Sequence, residues 1–307
     1  MSQSSAQPSP PTPPPPESRP FRFGVNLVTT ASRDQWAATC RTVESLGFDV
    51  LLVPDHIGAP APFPSLVAAA EVTERPRLGT FVLNAGFWNP TLLAREAAGT
   101  DALTGGRLEL GLGAGYVRAE FEDAGIEFHP AGERVNHLER TVREVRRRFA
   151  DKEFLPRPTQ PDGPPLLVGG HGRRTLRLAA EHADVVGFTA GRVSRDGKLT
   201  LAPREEFAER VRLVREAAAG RAVQPELNLL IQRVLLTEDR RAAVRPFLPY
   251  ANGMDEEELL RCPVLLVGTA EQIAEQLRRQ REEFGISYVT VLEPSMEAFG
   301  PVIELLS

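Results

Sequence analysis

Thiols, lysines and long apolar runs are all scarce in this chain. Only Cys40 and Cys262 occur, in no CxxC spacing. A thiolate zinc site and a disulfide-stapled secreted scaffold are therefore not expected. Cys40, set among Ala, Thr and Val, reads as a small buried residue. Of 36 basic residues only Lys152 and Lys198 are lysine, a bias typical of GC-rich coding, and the net charge is −5. That balance argues against the broad basic face of a nucleic-acid binder. Residues 1–20 hold neither an apolar h-region nor an early basic cluster, so no signal peptide or membrane span is expected there. Their run Pro13 to Pro16 favours extended polyproline conformations. They are read as a disordered extension of a cytoplasmic protein with no membrane partner. His56, His129, His137, His171 and His182 show no metal-ligand spacing, so no metal site is expected.

What is present is a regular alternation. With 42% hydrophobic and 25% charged residues the chain can bury a sizeable core. Short aliphatic runs read as strands: Phe21 to Val28, Phe48 to Val53, Leu78 to Leu83, Arg107 to Leu112, Leu166 to Val168, Asp184 to Phe188, Leu227 to Leu236 and Tyr288 to Leu292. Amphipathic stretches between them read as helices: Arg33 to Leu46, closed by Gly47, then 64–72, 90–103, 133–149, 174–182, 203–219 and 270–284. A further helix near Glu238 to Pro249 is interrupted by prolines. Eight βα units fit a (β/α)8 TIM barrel, which needs about 250 residues. A doubly wound sheet would place GxGxxG in its first βα turn, and residues 26–30 (NLVTT) lack it. The expectation is one (β/α)8 barrel domain over residues 21–307.

Barrel chemistry belongs at the C-terminal ends of the strands. Asp55-His56 follows the second strand, where histidine could move a proton and a flanking carboxylate could orient it. The alternative is that Asp55 caps the next segment and His56 packs. After strand four come Gly111, Gly113 and Gly115, ahead of Tyr116. Their missing Cβ atoms would let a planar ligand approach the backbone, although glycines also serve tight turns. After strand five, Gly169-Gly170-His171-Gly172 leads into a helix, the form of an anion site built from N–H groups and a helix N-terminus. Arg173 or Arg174 could add charge there. Two long segments, Gly113 to Gly132 and Gly187 to Ala202, lie on the same face and read as lids or specificity elements.

Taken in order, these motifs resemble the bacterial luciferase-like superfamily, especially its coenzyme F420-dependent oxidoreductases. The resemblance spans roughly residues 21–295. It rests on Phe23-Gly-Val25, Leu51-Leu-Val-Pro-Asp-His56, Arg77-Leu-Gly-Thr80, Gly105-Gly-Arg107, Gly111-Leu-Gly-Ala-Gly115 with Glu120, Leu167-Val-Gly-Gly170 and Phe284-Gly-Ile-Ser-Tyr288.

The resemblance implies a (β/α)8 barrel, usually a homodimer, with F420 or FMN at the C-terminal mouth. It further implies a non-proline cis peptide at Phe81–Val82 behind the cofactor ring. The cofactor would meet Asn26, Thr80, Phe81, Val82, Gly113, Ala114, Gly115 and Tyr116, and its phosphate would meet Gly169, Gly170, His171 and Gly172. His56 matches the family's active-site histidine. In the family's sugar-phosphate dehydrogenases a glutamate follows the glycine run directly. Tyr116 stands there in this chain, so sugar-phosphate oxidation is not expected and His56 would lack its carboxylate partner. The reaction implied is hydride transfer between C5 of F420 and a small organic substrate, with His56 assisting proton transfer and Asp55 orienting it. The alternatives are an FMN-dependent monooxygenase and a non-catalytic flavin or deazaflavin carrier, in which Phe87, Trp88 and Tyr116 would fill the substrate volume. Arg192 and Arg195 could meet an anionic substrate or the acidic tail of F420.

Overall fold

In a computed structural model of the chain, the residues described are 19–189, 191–193, 199–251 and 253–307. The expected N-terminal extension lies almost wholly outside them, as does Arg195. In chain order the strands are β1 (Arg22–Asn26), β2 (Val50–Val53), β3 (Arg77–Thr80), β4 (Leu83–Asn84), β5 (Leu108–Gly113), β6 (Leu166–Gly170), β7 (Val185–Phe188), β8 (Gly191–Val193), β9 (Leu199–Leu201), β10 (Glu226–Ile231), β11 (Arg233–Leu236), β12 (Leu265–Gly268) and β13 (Ile286–Leu292). The α-helices are α1 (Arg33–Ser45), α2 (Pro62–Ala70), α3 (Pro90–Leu103), α4 (Arg118–Asp123), α5 (Ala131–Ala150), α6 (Arg173–His182), α7 (Arg204–Ala218), α8 (Arg240–Val244), α9 (Glu256–Leu260), α10 (Ala270–Phe284) and α11 (Met296–Glu304).

The sheet runs β3-β2-β1-β13-β10-β7-β6-β5 in parallel and closes through β3–β5 pairing. This is the expected (β/α)8 barrel. Strands β2, β5 and β7 are buried along their whole length because helices cover one face and the barrel interior the other. Helix starts follow local chemistry: Ser32 with Gln35, and Thr269 with Gln272, form capping boxes, while Gly285 closes α10 in the left-handed conformation.

Element boundaries differ from the sequence reading in several places. The apolar run 227–236 is two strands rather than one. β10 stays in the barrel, Gln232 donates its N–H to the Val264 carbonyl, and β11 pairs outside the barrel with β12. An apolar run carries no mark of which partner each half takes. The proline-interrupted helix near 238–249 is α8 followed by a 3₁₀ segment, Arg245–Tyr250. Within the long segment after β7, β8 and β9 pair as an antiparallel hairpin.

Side chains at alternate positions fill the interior. Towards the N-terminal end, Glu109 accepts from Arg22 (2.7 Å) and Arg77 (2.6 Å), and Glu226 accepts from Arg22 (3.0 Å). Above them lie Val50, Leu52, Phe81, Leu167, Val185 and Tyr288. The interior is thus charged at its base and apolar in its middle, which leaves the C-terminal mouth for function.

Candidate active site

The mouth is shaped by a break in the third strand. β3 ends at Thr80, whose hydroxyl accepts from the Gly111 N–H and donates to the Gly111 carbonyl, both at 2.9 Å. One side chain thereby replaces a missing rung of the ladder between β3 and β5. The Phe81–Val82 peptide is cis, and the chain rejoins β5 as β4. Asn26, at the end of β1, donates from Nδ2 to the Phe81 carbonyl (3.1 Å).

This displaced segment accounts for the glycines. A Cβ on Gly111 would stand 2.0 Å from the Thr80 carbonyl oxygen, and one on Gly113 would stand 2.7 Å from Val82 Cγ2. A Cβ on Gly169 would stand 3.0 Å from Val82 Cγ1. At Gly115 (φ +71°) it would meet Asn84 Oδ1 at 2.2 Å. The space that side chains at Gly111, Gly113 and Gly115 would need is therefore taken by the protein's own third strand. Ala114 packs on the core between them.

His56 follows β2 and stands half-exposed at the mouth. Its Nδ1 lies 2.7 Å from Glu120 Oε1, carried by α4. A carboxylate accepts only, so Nδ1 bears the proton in this pair and Nε2 of the neutral ring is left as an acceptor. The Tyr116 ring meets His56 edge-on, with centroids 5.9 Å apart. Partial desolvation of the exposed Tyr116 ring where it abuts His56 raises its phenol pKa, and Glu120 adds to that, so the hydroxyl stays protonated.

Two expectations are corrected here. The histidine does have a carboxylate partner, supplied five residues after Gly115 rather than immediately after it. Nor is Asp55 the group that orients His56. Its Oδ2 accepts from the Asn84 N–H and from Trp88 Nε1, both at 3.1 Å. Asp55 ties the loop carrying His56 to the chain just beyond the cis peptide. Burial raises its carboxyl pKa, opposed by those two bonds. Trp88 is held by this bond and by edge-on packing with Phe63 (5.5 Å). Glu120 was visible as part of the glycine motif, but its pairing is a contact between loops that spacing does not reveal.

At the end of β6, Gly169 and Gly170 enter α6 through His171 and Gly172. Gly172 is the N-cap and offers no side-chain cap, so the first-turn N–H groups are available to an anion. A Cβ on Gly172 would meet nothing closer than Thr175 Oγ1 at 4.0 Å, so the approach to that loop is open. Burial, then the nearby Arg210, lowers the His171 pKa and favours a neutral ring that can donate one N–H. Arg174 turns away, donating to the Gly132 carbonyl (3.1 Å) and to Asn136. The arrangement fits a phosphate-bearing ring cofactor on two counts. One is this uncapped glycine loop. The other is Asn26 Oδ1, a buried acceptor without a protein partner at the mouth. Among the described residues no group of three or more His, Cys, Asp or Glu could hold a metal ion. No helix among them is long and apolar enough to cross a membrane.

The chain belongs to the luciferase-like monooxygenase family, whose model matches residues 18–257. It is 27% identical over 173 residues to the oxygenase component of a flavin-dependent trigonelline monooxygenase from Acinetobacter baylyi. That match covers 51% of this chain and 48% of the relative, so the chain spans about half of that protein. The fold is shared with monooxygenase RslO1 from Streptomyces bottropensis, with TM-score 0.71 and 23% identity over 93% of this chain and 99% of that one. It is also shared with an F420-dependent secondary alcohol dehydrogenase, with TM-score 0.69 and 18% identity over 94% and 100%. Relatives and neighbours thus include both flavin and F420 enzymes.

Proposed function

We propose that this chain is an F420-dependent oxidoreductase that uses His56, backed by Glu120, to move a proton to or from a small organic substrate. The observation that carries this reading is the 2.7 Å His56–Glu120 pair beside the displaced third strand. When bound, F420 would supply hydride transfer at C5, as such cofactors carry the redox chemistry themselves. Gly169, Gly170, His171 and Gly172 would hold its phosphate. Thr80, Phe81 and Val82 would back the ring, and Asn26 Oδ1 would accept from it. Asn26 and Asp55 hold those backbone segments in place. Glu120 fixes the imidazole so that Nε2 meets the substrate as a base, or as an acid once protonated.

An FMN-dependent monooxygenase is the second reading, favoured by the flavin-dependent relative from Acinetobacter. Titrating the purified protein separately with F420 and FMN, followed by fluorescence and absorbance, decides between them. Micromolar binding of F420 with weaker FMN binding is expected. Micromolar FMN binding with no F420 response would overturn the cofactor assignment. His56→Ala should retain cofactor affinity and lose turnover; a carrier without catalysis would show no turnover in either form.

A further inference from the structure

The loops around His56 are nearly free of charge. The segments 27–32, 54–61 and 114–117 contain Asp55 and His56 as their sole acidic or basic residues. Asp55 is engaged by Asn84 and Trp88. The carboxylates that reach these loops from outside are engaged as well. Glu120 is bonded to His56, and Glu293 accepts the N–H groups of Val28 (2.7 Å) and Thr29 (2.8 Å). Arg134 reaches the same loops through the Gly115 carbonyl, with its guanidinium stacked 4.0 Å over Phe128. Arg118, just beyond the third segment, pairs with Glu122 (3.8 Å) and lies 4.5 Å over the Phe128 ring, so no charge within these three segments is left to balance a charged ligand.

What the loops do expose is apolar. Val28, Ile57 and Tyr116 are 39%, 52% and 58% exposed, on the β1, β2 and β5 loops respectively. The loops adjoin: Thr30 donates to the Gly58 carbonyl at 2.9 Å, and the Tyr116 ring abuts His56. Single exposed apolar side chains are ordinary, but three on the adjoining loops that carry one polar dyad form a surface that water serves poorly. The dyad presents one acceptor beside it. With Nδ1 held by Glu120, His56 Nε2 has no partner among the described residues.

We infer that the substrate is an uncharged, largely apolar molecule bearing one hydroxyl or N–H donor. Its body lies on Val28, Ile57 and Tyr116, and its donor meets His56 Nε2. A charged group brought against this surface would lose its hydration without a partner, which disfavours anions and cations alike. The inference rests on reading the mouth as the substrate site.

Three probes test it by calorimetry, on the protein alone and after saturation with whichever of F420 or FMN binds: 1-indanol, 1-hydroxyindane-5-carboxylate and indane. Binding of 1-indanol at least tenfold tighter than its carboxylate, and severalfold tighter than indane, is expected. Ile57→Glu should weaken 1-indanol at least tenfold while the cofactor titration stays unchanged. Equal or tighter binding of the carboxylate, equal binding of indane, or no binding of any probe to millimolar concentration overturns the inference. If neither cofactor binds while the indanol preference persists, the proposed function falls and the substrate class stands. If a cofactor binds and the preference is absent, the reverse holds.

Discussion

His56 and Glu120 are 64 residues apart in the chain and share a 2.7 Å bond. Position alone marks His56, because a histidine at the end of a barrel strand faces the mouth. The partner is hidden by the same logic that hides most catalytic pairs: its geometry depends on how a loop and a short helix fold back together. Glu120 is placed to act through His56, which makes it a positioning residue. Glu120→Gln keeps an acceptor for Nδ1–H and removes the charge that stabilises an imidazolium. It should lower kcat about tenfold, against about a hundredfold or more for His56→Ala. The shape of the kcat–pH profile should change while cofactor affinity does not, and Glu120→Asp should recover part of the loss. A residue that merely supported the fold would lower stability and leave the pH profile alone.

At the scale of elements, the sequence displays its glycines openly and their reason poorly. Gly111 and Gly113 were legible as positions where something approaches the backbone; that the visitor is the third strand's own Thr80 and Val82 was not, since no pattern in residues 77–84 records a strand leaving its ladder. The ends of α3, α6 and α10 were read to within one residue because proline, glycine and helical periodicity mark them, whereas the β10–β11 break left no such mark. The two accounts of the glycines separate experimentally. Gly113→Ala places a methyl 2.7 Å from Val82 Cγ2. Overpacking of that kind should cost about 1–3 kcal/mol in urea unfolding. Val82→Ala in the same background should return part of it, giving a coupling of about 1 kcal/mol in a double-mutant cycle. If the glycine instead makes room for ligand, Gly113→Ala will weaken cofactor binding and leave the unfolding midpoint in place.

Across the whole molecule the barrel divides its labour between two ends. The C-terminal mouth keeps a half-exposed histidine and an unmatched buried acceptor, while the N-terminal base matches two guanidinium groups with two carboxylates. Glu109 is the centre of that base, 5% exposed in its side chain and bonded to both Arg22 and Arg77. Removing one member of a buried ionic cluster costs more than the cluster itself contributes, because the remaining charges keep their desolvation and lose their partner. Glu109→Gln leaves Arg22 with Glu226 and Arg77 with Gln160 (2.9 Å) and the Leu108 carbonyl (3.0 Å). The expected loss is about 3 kcal/mol. At the roughly 2 °C per kcal/mol typical of larger domains, that lowers Tm by about 6 °C. The charge lies at the opposite end of the barrel from His56, so cofactor affinity and kcat below the transition should stay within about twofold of the parent. A Glu109→Gln protein that melts as before but binds cofactor poorly would mean that the base of the barrel communicates with its mouth, and that the two ends are not the separate stability and function faces proposed for them.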